Sequence, residues 1–209
     1  MLTIGVLSRR RGHAVQAVES ALATVGCDAQ VVVAFDDEPL AMLDAIMAFR
    51  GRRNVHAVLL PIRHFYVRGM NALYAEMKLL GADRFVVVND DVFFTTRDWG
   101  PYVLEQYAEQ FPEGGIMELA GPDLCAHYLS DVRFIDQYCD GKLADMRYTM
   151  YFSDTHLMAQ AKGLSRYRYV PGPVGRPIVD HRILNDPLRE ELKYWYAVDQ
   201  REFDLCHPK

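Results

Sequence analysis

Apolar runs alternate with segments of helical spacing through the first half of this chain, and this alternation is the strongest constraint on its fold. The runs predicted as strands are 2–7, 30–35, 56–60 and 85–88, and the segments predicted as helices are 12–25, 40–49 and 68–80. Strands that alternate with helices form right-handed crossover units and pair in parallel. We therefore expect an α/β fold, Rossmann-like in layout, whose mostly parallel central sheet is flanked by helices.

The periodicity loosens after Trp99. Helical spacing returns at 101–110 and 155–162, strands are predicted at 115–120 and 167–170, and a Gly/Pro loop leads to 178–181. Residues 125–151 are rich in Tyr, Asp and Arg without a clean period, and we interpret this stretch as part of a pocket for a second substrate. No linker, repeat or low-complexity segment divides the chain, so we expect a single domain over 1–209.

Composition narrows the class of protein. The chain has 209 residues, of which 50% are hydrophobic and 24% charged, values that are ordinary for a globular domain with a real core. No apolar run approaches the thickness of a bilayer and the first residues lack the features of a signal peptide, so a cytoplasmic protein is expected. The four cysteines are widely spaced, which indicates reduced thiols and neither a zinc site nor a disulfide framework.

Acidic side chains follow two of the predicted strands at the point where each strand ends. Asp36 and Asp37 end the second strand, and Asn89, Asp90 and Asp91 end the fourth. The carboxyl ends of parallel strands share one edge of a sheet, and ligands bind in the crevice beyond it. Crowded acids need a cation, which is either Mg²⁺ or Mn²⁺ carrying substrate phosphates, or a nearby arginine such as Arg9, Arg63 or Arg68. The alternative is that these residues serve only as turn formers.

Two familiar nucleotide-binding motifs are missing. The first strand is not followed by Gly-x-Gly-x-x-Gly, and the chain has no Gly-x-x-x-x-Gly-Lys-[Ser/Thr]. Dinucleotide-dependent oxidoreductases and P-loop phosphotransferases therefore lose their main support.

Two later residues are candidates for chemistry. Asp154 lies at the start of a predicted helix, where it either caps the helix or, beside a diphosphate site, removes a proton from an acceptor hydroxyl. His181 follows an extended segment and a Gly/Pro loop, a position from which it either closes over a metal or plays a structural part.

Several strings resemble the inverting GT-A-fold nucleotide-sugar glycosyltransferases of the family 2-like group, particularly the rhamnosyltransferase-like branch. The first are Gly69-Met70-Asn71-Ala72 and the run from Gly81 to Val92, which contains Gly-Ala-Asp and ends in Asn-Asp-Asp-Val. The later ones are Ser153-Asp154-Thr155-His156-Leu157, Gly163, Tyr169-Val170-Pro171 and His181. Their order and approximate spacing hold from Leu2 to His181, which covers most of the chain.

The resemblance implies roles for individual residues. Asp154 would be the general base, and Asp91 and His181 would hold Mn²⁺ or Mg²⁺. The residues implied in binding the donor nucleotide are Ser8, Arg9, Asp36, Asp37, Arg63, Arg68, Asn71, Asn89 and Asp90. Asn89 stands where the family usually has an Asp, so weaker metal binding is expected. Residues 1–97 would form the nucleotide-sugar half of the domain and 98–209 the acceptor-binding and catalytic half.

The implied activity is transfer of a hexosyl or pentosyl group from a nucleotide sugar, with a UDP-sugar as the first choice, to an acceptor hydroxyl with inversion. The acceptor is predicted to be a hydroxymethylated DNA base or a soluble glycan. Basic clusters at 9–11 and 50–53 and the run 166–169 could contact nucleic acid, although the net charge of −5 argues against a general nucleic-acid coat. The alternatives are a sugar-nucleotide nucleotidyltransferase and a non-catalytic sugar-nucleotide-binding module.

Overall fold

The protein is described by a computed structural model that covers residues 1–9, 12–122, 125–181 and 189–207, with the backbone alone at 181 and 189–192. The first half contains β1 (Leu2–Ser8), α1 (His13–Thr24), β2 (Ala29–Asp36), α2 (Pro39–Ala48), β3 (Val55–Leu60), α3 (Phe65–Leu79) and β4 (Arg84–Asn89). The second half contains β5 (Val92–Phe94), α4 (Trp99–Gln110), β6 (Ile116–Glu118), β7 (Tyr128–Asp131), α5 (Val132–Tyr138), α6 (Ser153–Gly163), β8 (Tyr167–Tyr169), β9 (Val179–His181) and α7 (Arg189–Cys206).

One sheet of seven strands organises the fold, in the order β3-β2-β1-β4-β7-β6-β8. The strands β3, β2, β1 and β4 are parallel neighbours. Only β7 runs against both of its partners, since it is antiparallel to β4 and to β6, and β8 is parallel to β6. The mixed α/β architecture with helices on a mostly parallel sheet confirms the predicted fold class. A second sheet pairs β5 with β9.

The central strands are continuous apolar runs because both of their faces are covered. Every residue of β1 and β2 is buried. One core, on the side of α1, α2 and α4, includes Ile4, Val33 and Trp99, and the other, on the side of α3, α5 and α6, includes Leu73, Val87 and Phe134. This burial explains why the strands read as unbroken apolar segments and not as an alternating pattern.

The Gly69 of the Gly-Met-Asn string is a packing residue. A Cβ atom at this position would lie 3.0 Å from Leu7 Cδ1, so the absence of a side chain lets α3 approach β1 closely. This close approach sets the start of α3 near the edge where β1 ends.

The second half differs from the sequence-based expectation. Within 125–151, which showed no clean period, the chain forms β7 and α5, and the Asp131 carboxylate caps α5 by accepting a 2.7 Å hydrogen bond from the Phe134 N–H. The predicted helix 68–80 starts three residues earlier, at Phe65, and the predicted strand 115–120 is reduced to Ile116–Glu118. The short strand β5 and the long helix α7 were not predicted.

Two further expectations concern the cysteines and membranes. Cys27, Cys125, Cys139 and Cys206 are free thiols. Among the helices described, none has the length and apolarity that crossing a bilayer requires. The cytoplasmic location stays a prediction.

Candidate active site

The carboxyl ends of β2, β1 and β4 lie side by side at one edge of the sheet. Leu7 of β1 pairs with Ala34 of β2 on one side and with Asn89 of β4 on the other. The strands stop within two residues of these pairs, so Ser8 and Asp36 emerge beside Asn89. The sheet thus brings the predicted donor-binding strand ends together.

Asp90 is fixed to the end of β1. The Ser8 hydroxyl donates a hydrogen bond of 2.7 Å to Asp90 Oδ2, and the backbone N–H of Arg9 donates a hydrogen bond of 3.3 Å to the same oxygen. Three residues that sequence reasoning assigned separately to the donor site are therefore in direct contact.

Asp36 and Asp37 occupy different environments. Asp36 is 2% exposed, and its Oδ1 accepts a 2.5 Å hydrogen bond from the backbone N–H of His64, which fixes the turn between β3 and α3. Its Oδ2 is buried and accepts no hydrogen bond from the described residues. Asp37 is exposed in a left-handed backbone conformation, with φ of 57°. Of the two, Asp37 presents its carboxylate to solvent.

A cavity of about 220 Å³ lies at the start of α3. Arg63 and Arg68 line it together with His64, Phe65, Met146, Tyr148, Thr149 and Trp195. The Arg63 guanidinium lies 4.6 Å from the centroid of the Phe65 ring, and the Trp195 ring packs edge-on against the same ring with centroids 5.2 Å apart. The two arginines predicted to contact phosphate therefore share one cavity lined by aromatic rings.

Asn71 binds the backbone of a later segment. Its Nδ2 donates a 2.8 Å hydrogen bond to the Ala144 carbonyl, and its Oδ1 accepts a 3.0 Å hydrogen bond from the Ala144 N–H. The amide thus anchors the segment around residue 144 on α3, and its predicted contact with the donor stays a prediction.

The β5–β9 pair brings together the backbones of the two predicted metal ligands. β5 begins at Val92, directly after Asp91, and Val92 pairs with His181. The side chain of His181 lies outside the described part of the structure. Among the side chains that the structure describes, no group of three or more His, Cys, Asp or Glu converges as a metal cage.

Asp154 lies in the first turn of α6 and does not cap it. The capping position is Phe152, which has φ of 62° and makes no side-chain hydrogen bond to the helix. The Asp154 Oδ1 accepts a 2.8 Å hydrogen bond from the adjacent Thr155 N–H. Burial raises the pKa of the Asp154 carboxyl above its ordinary value, against the opposing effect of this hydrogen bond. The neighbouring Ser153 hydroxyl is buried and has no hydrogen-bond partner among the described residues.

Tyr66, in the first turn of α3, lies within electrostatic reach of Asp91 and Asp154. Burial raises the pKa of its hydroxyl well above the ordinary value, and the negative charges of Asp154, Glu118 and Asp91 raise it further. The charges of the predicted base and of the predicted metal ligand therefore both disfavour ionisation of this phenol. Nothing in the sequence marked Tyr66, because the acids that affect its pKa belong to β6, to α6 and to the segment between β4 and β5.

Glu118 is a second site residue that sequence reasoning missed. It ends β6, is 0% exposed, and its Oε1 accepts a 2.9 Å hydrogen bond from the Ala120 N–H while Oε2 has no partner among the described residues. Burial raises the pKa of its carboxyl to about 8, although backbone N–H groups nearby oppose the shift. Because β6 runs parallel to β4, its carboxyl end reaches the same edge. The sequence offered one signal for Glu118, which is that an acidic residue follows a short apolar run.

Comparisons with known proteins identify the fold. No protein-family model and no curated protein matches this sequence. The structure of TarS residues 1–349 from S. aureus in complex with UDP-GlcNAc matches with a TM-score of 0.70 and 8% identity, over 94% of this chain and 64% of that one. The mannosyltransferase PcManGT from Pyrobaculum calidifontis, in complex with GDP-Man and Mn²⁺, matches with a TM-score of 0.69 and 10% identity, over 92% and 60%. These neighbours are GT-A-type glycosyltransferases. The chain has the GT-A fold.

A third similar structure belongs to a different class of protein. A putative glucose-1-phosphate thymidylyltransferase from Bacillus anthracis, in complex with sucrose, matches this GT-A chain with a TM-score of 0.53 and 13% identity, over 82% of this chain and 87% of that one. The chain spans less than two thirds of the length of TarS 1–349 and of PcManGT, 64% and 60% respectively.

Proposed function

We propose that this chain is an inverting glycosyltransferase that moves a sugar from a nucleotide-sugar donor, with a UDP-sugar as the first choice, to an acceptor hydroxyl. The observation that carries the proposal is the edge of the sheet where β2, β1 and β4 end together, with Asp90 bonded to Ser8 and Arg9 and with Asp91 directly after it. The charges of Asp91 and Asp154 both raise the pKa of the Tyr66 hydroxyl, which supports an assignment of these two acids to the same crevice. The bound UDP-GlcNAc of TarS and the bound GDP-Man of PcManGT support a nucleotide-sugar donor.

Asp154 is the proposed general base. It accepts the proton of the acceptor hydroxyl while the acceptor oxygen attacks the anomeric carbon, and the bond from that carbon to the diphosphate oxygen breaks. Attack opposite the leaving group inverts the anomeric centre. The raised pKa of Asp154 makes it a better proton acceptor than an ordinary exposed Asp, once it is ionised.

Asp91 and His181 are the proposed ligands for Mn²⁺ or Mg²⁺. Asp91 directly precedes β5, and Val92 of β5 pairs with His181, so the backbones of the two proposed ligands lie together. One or two carboxylates completed by substrate phosphates and water suit these ions, and a full protein cage is not needed. When bound, the ion would neutralise charge on the leaving diphosphate. The Mn²⁺ bound by PcManGT supports this assignment.

The donor contacts are proposed at the same edge. Asp37 would bind the nucleoside, because its carboxylate is exposed while Asp36 holds the β3–α3 turn. Arg63 and Arg68 would contact phosphate oxygens from their shared cavity.

A nucleotidyltransferase is the second candidate, because the thymidylyltransferase of B. anthracis shares the fold at a TM-score of 0.53. Incubation of the chain with UDP-sugars, GDP-sugars and Mn²⁺ separates the possibilities. Release of the nucleoside diphosphate, with the sugar moved to an acceptor or to water, supports the transferase. Pyrophosphate-dependent exchange supports the nucleotidyltransferase, and tight binding without turnover supports a non-catalytic module.

The acceptor is proposed to be a hydroxymethylated DNA base or a soluble glycan. Arg166 contributes less to a nucleic-acid surface than its place in the 166–169 run suggested, since it pairs with Glu113 and donates to the carbonyl oxygens of Glu113 and Gly114. Arg168 is exposed. Mass spectrometry of products from hydroxymethylated DNA, unmodified DNA and a mixed glycan pool tests the two classes, and equal activity with and without modified DNA removes the DNA hypothesis.

A further inference from the structure

Asp199, in the middle of α7, binds three consecutive backbone amides of a distant segment. Its carboxylate accepts hydrogen bonds from the N–H groups of Thr149, Met150 and Tyr151, with lengths between 2.7 and 3.1 Å. Asp199 is 1% exposed, and both of its oxygens are engaged. Successive N–H groups that converge on one anion form a nest, and hydrogen bonds to an ionised acceptor are stronger than neutral ones.

The segment held by Asp199 leads directly into α6. Tyr151 is followed by Phe152, the capping residue, whose side chain makes no hydrogen bond to the helix. Asp154 lies two residues further on, in the first turn. Because no side-chain cap fixes the start of α6, the direction of its first turn depends on the segment that precedes it.

Aromatic contacts join the same elements. The Tyr196 ring of α7 packs on the rings of Tyr151 and Phe152, with centroids 5.4 and 5.1 Å apart. On the other side, the Thr149 carbonyl accepts a 3.1 Å hydrogen bond from the Val67 N–H of α3. The 149–151 segment is therefore clamped between α7 and the helix that carries Tyr66.

We propose that Asp199 is a positioning residue that fixes the 149–151 segment and, through it, the start of α6 and the Asp154 carboxylate relative to the donor edge. The inference rests on the proposed function, in which Asp154 is the base. Asp199 itself does not meet substrate, because it is buried and its oxygens are occupied by the backbone.

The first test compares Asp199→Asn with the matched control Asp204→Asn. The Asn keeps the size of the side chain, removes its charge and turns an NH₂ group toward backbone donors. Asp204 lies on the same helix but is exposed and bonded to Gln200 within that helix. We expect Asp199→Asn to lower kcat about 10–100-fold, because a small misplacement of a reacting group has an effect of this size. Its Kd for a UDP-sugar should rise by a smaller factor than kcat falls, since only Thr149 of the held segment lines the cavity of Arg63 and Arg68. Asp204→Asn should be unchanged in both quantities.

A second readout needs no turnover. The ¹³Cγ signal of Asp154, followed by NMR against pH, reports the pKa of that carboxyl. In the wild-type chain the pKa should lie above the ordinary value, and in Asp199→Asn it should fall toward it, because a released α6 start exposes the carboxyl. A merely stabilising role for Asp199 would lower the melting temperature and leave this titration unmoved.

The outcomes separate the two proposals. Wild-type kcat and an unmoved Asp154 titration in folded Asp199→Asn would overturn the positioning role. If the wild-type chain transfers no sugar, the proposed function fails by itself, and the titration still decides whether Asp199 fixes Asp154. If Asp199→Asn does not fold, Tyr196→Ala replaces it, since it removes ring contacts to the same segment from a partly exposed position. It should lower kcat several-fold and shift the titration in the same direction, and no change in either would count against the proposal.

Discussion

Burial raises the pKa of two carboxyls, those of Asp154 and Glu118, and their different surroundings call for different tests. Asp154 lies at a helix start, where its backbone neighbour donates to it. Glu118 lies at a strand end with no exposed surface. The first is suited to exchange protons with a substrate, and the second to keep its proton at neutral pH.

Asp154→Asn should keep donor binding and lose transfer. An amide of the same shape cannot accept the proton of the acceptor hydroxyl, so the turnover rate should fall by about 10²–10⁴-fold. Product formation and donor affinity should be measured on the same preparation. Asp83→Asn is the control, because Asp83 is exposed and lies just before β4 begins, at the end of the strand opposite to Asp91. Full activity in Asp154→Asn would remove this residue as the base.

Glu118 should make the free energy of unfolding depend on pH. The pKa of the Glu118 carboxyl is about 8 in the folded chain, above its ordinary value of 4.5. Well below pH 4.5 the carboxyl is therefore protonated in both the folded and the unfolded chain. Between these values the unfolded chain loses the proton and the folded chain keeps it. The contribution of Glu118 to the free energy of unfolding should therefore fall as the pH rises from 4.5 to 8, by up to about 1.4 kcal/mol per pH unit.

The comparison variant is Glu118→Gln, which imitates the protonated side chain. Urea unfolding at several pH values between 5 and 8 should give a shallower loss of stability in the variant than in the wild-type chain. Identical slopes would mean that Glu118 is ionised in the folded protein.

At the scale of elements, helix starts and strand ends decide where the candidate site forms. α4 begins against the end of α1, where the Gly100 N–H donates a 2.8 Å hydrogen bond to the Val25 carbonyl. A Cβ atom on Gly100 would lie 2.6 Å from that same oxygen. The contact is between two backbones, so it has little freedom to adjust.

Gly100→Ala should destabilise the protein by about 1–3 kcal/mol, as overpacking does. Gly163, at the end of α6, gives a matched helical control, since a Cβ atom there would meet nothing within 4 Å. Gly163→Ala should be neutral or stabilising by about 0.5–1 kcal/mol because Ala is the better helix former. Thermal and urea unfolding of both variants measures the difference, and equal effects would contradict the packing argument.

The sequence allowed the elements of the first half to be predicted because each is long and locally complete. β7 spans only Tyr128–Asp131 and is defined by its partners β4 and β6, which lie far away in the chain. α7 has a polar composition and depends on contacts such as that of Asp199 with the 149–151 segment. Asp91 and Asp154 could be selected from their motifs, whereas Tyr66 could not, since its environment comes entirely from tertiary packing.

At the scale of the whole molecule, the proposed donor and metal should raise the melting temperature when they bind together. A ligand that binds only the folded state at about 100 times its Kd adds about 2.7 kcal/mol, which is a rise of roughly 5–10 °C in the melting temperature of a domain of this size. We expect this rise with a nucleotide sugar and Mn²⁺ together, and a smaller one after chelation of the metal with EDTA.

Asp91→Asn should remove the metal-dependent part of that rise and keep the remainder. Asp83→Asn should behave as the wild-type chain does. Differential scanning fluorimetry with UDP-, GDP- and dTDP-sugars also ranks the donors. A rise that is indifferent to EDTA in every case would show that the nucleotide binds without the ion.

The β5–β9 pair also sets an order of events during synthesis. Val92 finds its partner only when His181 has been made, and the 149–151 segment receives its buried anion only when Asp199 has left the ribosome. The parallel block β1 to β4 is complete by Asn89 and can form first, since chains fold from the N-terminus as they emerge. A nascent chain can therefore form the strand ends of the proposed donor site well before Asp199 can hold the segment that leads to Asp154.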